Sequence, residues 1–216
     1  MLTTKALAAI AAVFASLVVK AQAGDVYAHF IVGNAGSYTQ SDWAADISKA
    51  ADSKIDGFAL NIGGDGYTDT QLGYAFAAAE AHGNFKLFIS FDYAANPSFS
   101  ASGVQDTINK YKTSSAQAQY QNKPLVSTFE GPSAAGDWSG IKSNTGCFFV
   151  PDWTSVKGDP SKFDVVDGAL SWDIWPTTAA DMTDDPDKAW RSVLGSKAYM
   201  MGVSVSYACL NCGWQS

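Results

Sequence analysis

The sequence predicts an α/β protein of the (β/α)-barrel type. Three observations predict it. Seven short apolar runs recur along the chain, each nearly continuous rather than alternating, as in parallel strands covered on both faces. Amphipathic helical patterns separate most of them, which is the order of βα units. Hydrogen-bonding or ionisable side chains stand in or at the ends of six successive runs, where a parallel barrel gathers its functional groups.

The strand candidates are DVYAHFIVG (25–33), DGFALNIG (56–63), KLFISFDY (86–93), PLVSTFEG (124–131), GCFFVPDW (146–153), VDGALSWDIWP (166–176) and AYMMGVSVSY (198–207). The first helix starts at Thr39-x-x-Asp42, a capping-box pattern ahead of Trp43, Ile47 and Ala50. Thr68-x-x-Gln71 opens the second, with Leu72, Ala75, Phe76 and Ala79 on one face and Gly83 as its stop. Ser102-x-x-Gln105 opens a third with the stripe Val104, Ile108 and Tyr111. A shorter helix runs from Asp137 through Ile141. Asp185 as N-cap with Pro186 behind it opens the last, with Trp190 and Leu194 inward. No low-complexity or Pro/Ser-rich linker divides the chain, so one domain is expected. A doubly wound sheet would carry G-x-G-x-x-G after its first strand. The turn there is GNAGSY, and GGDG at 63–66 lacks the spacing.

The ends of the chain lie outside this pattern. Residues 1–23 read as a secretory signal. Lys5 precedes an apolar run from Ala6 to Val19, too short to span a bilayer, and Ala21-Gln22-Ala23 is a cleavage site. A secreted, extracellular or cell-wall protein is therefore expected. Cys209 and Cys212 lack the second pair of ligands a zinc site needs, and Cys147 sits in an apolar run as a buried thiol. The acids Asp181, Asp184, Asp185 and Asp187 lack EF-hand spacing and read as a solvated helix start. His82 suits a helix C-terminus.

Composition narrows the partners. The chain has 216 residues, 47% hydrophobic and 16% charged, with 14 Lys and Arg against 21 Asp and Glu, a net charge of -7. It is too apolar for disorder, and it has no basic cluster to seek nucleic acid or an anionic membrane.

The strand-end groups are His29, Asn61, Asp92, Glu130, Asp152 and Asp173. A single acid past a strand is ordinarily a turn former or helix cap. Four in succession, each beside an aromatic, point instead to a shared cleft. Clustered carboxylates without basic neighbours repel, which holds one protonated near neutral pH and separates an acid from a base. That division suits glycoside hydrolysis. Glu130, Asp152 and Asp173 are the catalytic candidates. His29, Asn61, Asp92, Tyr93, Trp153, Trp172 and Trp175 are the candidates for sugar contact, with Phe129 nearby. No Ser-His-Asp pattern appears, since His29 has no G-x-S-x-G partner.

The runs YAHFIVGN, SDWAADI, IDGFALNIG, KLFISFDYA, KPLVSTFEG, GCFFVPDWTS, VDGALSWDIWP and KAYMMGVS, in this order, resemble the fungal α-1,3-glucanases called mutanases, glycoside hydrolase family 71. The resemblance runs from about Val26 to Ser204 and implies a secreted (β/α)8 barrel. It implies endo-hydrolysis of cell-wall α-1,3-glucan without a metal or other cofactor, by a monomer whose cleft is lined by the six strand-end residues. It also implies an eighth strand with a W-N-D-x-G-E-S-like motif carrying the catalytic pair. The 216 residues contain no such motif, and the tail SVSYACLNCGWQS diverges after Ser204. An incomplete barrel of about seven βα units follows as the expectation. A catalytically inactive glucan-binding protein and a truncated, non-functional product are the alternatives.

Overall fold

The structure is a computed structural model that describes residues 24–175 and 183–204. The expected signal at 1–23, Asp181, Cys209 and Cys212 lie outside the described residues. The main elements in order are β1 (Tyr27–Ile31), α1 (Gln40–Asp52), β2 (Gly57–Ile62), α2 (Thr68–His82), β3 (Lys86–Asp92), α3 (Ala101–Tyr111), β4 (Lys123–Phe129), α4 (Ala135–Thr145), β5 (Phe148–Phe149), β6 (Gly168–Leu170), α5 (Asp185–Leu194) and β7 (Ala198–Met200). A two-residue ribbon, Gln119–Tyr120, pairs antiparallel with the start of β4.

β1 to β5 run parallel in chain order in one sheet, and β6 and β7 form a second, two-stranded parallel sheet. The registers include Tyr27 against Gly57, Gly57 against Lys86, Ile89 against Val126 and Leu125 against Phe148. β6 pairs with β7 from Gly168 against Ala198. Two backbone bonds of 2.9 Å, Asp167 N to Phe149 O and Leu170 N to Pro151 O, join β5 to the β6 segment. The order never reverses, so the switch point of a doubly wound sheet is absent among the described residues.

Alternation along the strands divides the core in two. Ala59, Phe88, Leu125, Phe148 and Val150 form an inner cluster, on which Tyr27, Leu170, Ala198 and Met200 also pack. Each of β1 to β7 contributes to it, so the first and last of them share one interior. Tyr27 and Phe88 meet edge to face at 5.1 Å. The outer cluster lies between sheet and helices. Trp43 and Ile47 of α1, Leu72 and Phe76 of α2, Val104 and Ile108 of α3, and Trp138 and Ile141 of α4 cover Phe58, Leu60, Leu87, Ile89 and Phe149. Trp138 lies flat on Phe149, with centroids 3.5 Å apart. Burial on both faces explains why the strands read as continuous apolar runs.

Helix starts follow local chemistry in one case and tertiary demand in another. Thr39 and Asp42 form the expected capping box on α1. The pattern at Thr68 and Gln71 does not cap α2: Tyr67 is the N-cap, and no side chain bonds there. Gln71 is drawn inward, accepting from Trp43 Nε1 at 2.8 Å and donating to Tyr38 O at 3.1 Å. A buried indole N–H is costly to leave unpaired, so the core takes the amide that the cap would have used. Ser100, not Ser102, caps α3. Asp185 is the first residue of α5, and Asp184 precedes it as N-cap. α4 begins at Ala135, two residues before Asp137, and runs past Ile141 to Thr145. Gly83 ends α2 at φ 89°, His82 closes its last turn, and Cys147 is a buried free thiol.

The later strands are shorter than their apolar runs. The 166–176 run keeps its ladder only over Gly168–Leu170, then turns tightly with Ile174 N bonded to Trp172 O. Gly202 makes room for that turn, because a Cβ there would strike Ser171 O and Ile174.

Candidate active site

The inner cluster settles which strand-end groups face the interior. His29 lies two residues beyond Tyr27, Asn61 two beyond Ala59, Asp92 four beyond Phe88, Phe129 four beyond Leu125 and Asp152 two beyond Val150. The period of a strand places all of them on the interior face, at its C-terminal end. An isolated bridge between Phe129 and Asp152 extends the β4–β5 pairing to that end.

Asp152 is the most distinctive group. It is 1% exposed. Its Oδ1 accepts from Thr154 N at 3.1 Å and from Thr154 Oγ1 at 2.6 Å. Its Oδ2 is buried without a hydrogen-bond partner among the described residues. Burial pushes the Asp152 carboxyl up to about 6; the Thr154 bonds oppose this, and the negative charges of Glu130 and Asp173 add to it.

Glu130 stands just past β4 at φ 54°. A left-handed backbone at a non-glycine residue costs about 1–2 kcal/mol. Its N–H bonds Asp152 O at 2.8 Å, its carbonyl accepts from Trp153 Nε1 at 2.9 Å, and its Oε2 accepts from Ser155 Oγ. Gly131 follows at φ 91°, where a Cβ would come within 2.5 Å of the Tyr93 ring.

Asp173 corrects the expectation of acids without basic neighbours. Its Oδ2 accepts from Lys157 Nζ at 2.6 Å and from Trp190 Nε1 at 3.1 Å. Asp92 Oδ1 accepts from Ala94 N and Ala95 N, so one of its oxygens serves the turn after β3. The protein around the His29 ring lowers its pKa despite the opposing pull of Asp92, which leaves the imidazole neutral at pH 7. Asn61 is buried.

The aromatic candidates separate by burial. Trp172 is partly exposed and meets His29 at 4.9 Å and Phe129 at 5.3 Å, edge to face in both cases. Trp175 is 44% exposed. Trp153 is corrected: it is 0% exposed, donates to Thr128 Oγ1 and Glu130 O, and packs on Phe149, so it has no free face for a sugar. Tyr93 is corrected likewise, being 7% exposed between Phe99 and Gly131. Both hold the loop that carries Glu130.

Three functional groups escaped the sequence reading. Thr154 and Ser155, which bond the two central acids, stand in the PDWTS segment directly after Asp152. Their place in that segment was the available signal. Lys157 lies 16 residues from Asp173, and no local pattern announces that pair.

The model for glycosyl hydrolase family 71 matches residues 22–215. The chain belongs to glycosyl hydrolase family 71. This family 71 chain is 37% identical over 195 residues to a glucan endo-1,3-alpha-glucosidase of Schizosaccharomyces pombe, covering 83% of the chain and 46% of that protein. It is 38% identical over 191 residues to a mutanase of Penicillium rubens, covering 83% of the chain and 42% of that protein. An ascus wall endo-1,3-alpha-glucanase of S. pombe is 28% identical over 197 residues, with 83% of the chain and 46% of that protein covered. The family 71 chain thus spans less than half the length of these relatives. Among solved structures, an endo-alpha-mannosidase of Bacteroides thetaiotaomicron aligns over 76% of the chain and 53% of its own, with a TM-score of 0.56 at 14% identity. A second structure, of the mannosidase with bis-tris-propane, aligns over 76% and 56%, with a TM-score of 0.57 at 12% identity. At that identity the likeness is one of α/β fold alone.

Proposed function

We propose that this protein acts on the α-1,3-glucan of fungal cell walls as a secreted, endo-acting glycoside hydrolase, with residues 1–23 as its signal. The observation that carries the reading is the family 71 match over nearly the whole chain, joined to three carboxyl groups that interact electrostatically at one end of the curled sheet. The seven parallel strands and five α-helices described are consistent with part of a (β/α)8 barrel. An eighth strand would fit between β1 and β7, since among the described residues β1 pairs only with β2 and β7 only with β6.

Asp152 is the group able to hold a proton near neutral pH, and Glu130 and Asp173 are the carboxylates beside it. His29, Asp92, Trp172 and Trp175 supply sugar contacts: hydrogen bonds from the polar groups and stacking from the indoles, while Asn61 is buried. The protein works as a monomer on a polysaccharide, without nucleic acid, membrane or cofactor.

The test is reducing-sugar release from alkali-swollen α-1,3-glucan by chain 24–216, alongside Glu130→Gln and Asp152→Asn. Release by the wild type and a loss of about a hundredfold or more in either variant supports the reading. Equal release by all three would place the reacting acids elsewhere. Retention on insoluble glucan without release would make the chain a binding protein. In that assay Trp175→Ala should weaken retention without lowering the melting temperature, because the indole is exposed.

A further inference from the structure

The two oxygens of Asp152 have unequal surroundings, and Thr154 is the reason. The Thr154 hydroxyl oxygen accepts from Trp172 N at 3.1 Å. Its single proton is then directed along the 2.6 Å contact to Asp152 Oδ1. Thr154 N–H reaches the same oxygen at 3.1 Å. A carboxyl proton on Oδ1 would leave the threonine proton without an acceptor, and it would stand beside a second donor. Oδ2 meets no donor among the described residues. We propose that Thr154 is a positioning residue that keeps the carboxyl proton of Asp152 on Oδ2 and couples this carboxyl to the backbone of Trp172.

The charged groups around Asp152 agree with this assignment. Glu130 and Asp173 both disfavour its ionised form. Lys157 is committed to Asp173 and Ser155 to Glu130. His29 on β1 and Asp92 on β3 interact with each other. Among the described residues, the bonds that favour the Asp152 carboxylate come from Thr154. The oxygen that carries the proton is thus the one without a hydrogen-bond partner among the described residues. The position of the proton does not rest on the α-1,3-glucan reading.

The experiment is a carbon-13 carboxyl titration of the chain in the absence of sugar, with Asp152→Asn assigning the resonance, and nitrogen-15 shifts followed for the Trp172 amide. Asp152 should titrate near pH 6, and the Trp172 amide should move with the same midpoint. Thr154→Val should raise the midpoint by about one unit, a tenfold change in proton affinity, and uncouple the Trp172 amide. Thr154→Ser, which keeps the hydroxyl, should hold the wild-type midpoint. An insensitive Trp172 amide in the wild type would overturn the proposal, even if Thr154→Val did not fold. So would an unchanged or lowered midpoint in Thr154→Val, or a shift in Thr154→Ser as large as in Thr154→Val. No step uses substrate, so failure here is distinct from failure to bind or cleave glucan.

Discussion

Asp152 should make the protein less stable as the pH rises. Its folded-state carboxyl titrates at about 6, against 3.8 for the ordinary aspartate reference. An acid with a raised folded-state value binds its proton more tightly when folded. Its stabilising effect is therefore complete below the unfolded value and is lost as pH rises through about 6. The difference of about two units corresponds to about 3 kcal/mol, present below pH 4 and gone by pH 7–8. Burial at 1% exposure means solvent screening discounts little of it. The perturbation is Asp152→Asn. The amide oxygen still accepts the two Thr154 bonds, and the NH2 group replaces the unpartnered hydroxyl of the neutral acid. Wild type and variant should be about equally stable at pH 4, and the variant more stable by about 3 kcal/mol at pH 8. Urea unfolding followed by tryptophan fluorescence at pH 4, 6 and 8 reads this as a midpoint gain of about 1–2 M at the highest pH. Other titrating groups cancel in the difference. A difference independent of pH, or a variant less stable at pH 8, would refute the assignment of a buried, reluctantly ionised carboxyl.

Gly131→Ala should lower stability by about 2–4 kcal/mol, because it places a Cβ at φ 91° and drives it into the Tyr93 ring; thermal unfolding against wild type checks this. Gln71→Leu should cost about 2–4 kcal/mol by leaving Trp43 Nε1 and Tyr38 O unpaired. Urea titration would expose an error if the loss stayed below about 0.5 kcal/mol.

The parts of the fold legible in sequence are those whose signal is short-ranged. The capping box at Thr39 and Asp42 was readable because all its atoms lie within one turn. The inward stripes of α1 and α3 follow from a period of 3.6. The parallel strands read correctly in their order along the chain, since burial on both faces makes them apolar throughout, while the antiparallel Gln119–Tyr120 ribbon gave no such signal. The strand lengths did not read correctly, as the 166–176 run shows: its ladder stops at Leu170, where the following turn packs on Gly202 from beyond α5. Gln71 has the spacing of a capping residue yet serves Trp43, 28 residues away.

By itself, then, the sequence determined a run of parallel βα units with hydrogen-bonding groups at their strand ends, because strand and helix periods and turn residues are local properties of the chain. Tertiary structure alone decided what those groups do. Trp153 and Trp172 each stand beside a strand-end acid, but one is sealed in the core and the other lies against His29. Asp152 and Asp173 each belong to an apolar run, but one is buried with an oxygen that has no partner among the described residues and the other is paired with Lys157. Burial and charge pairing depend on residues distant in the chain and brought close only by the curl of the sheet, so the proton-holding carboxyl is a property of the folded molecule.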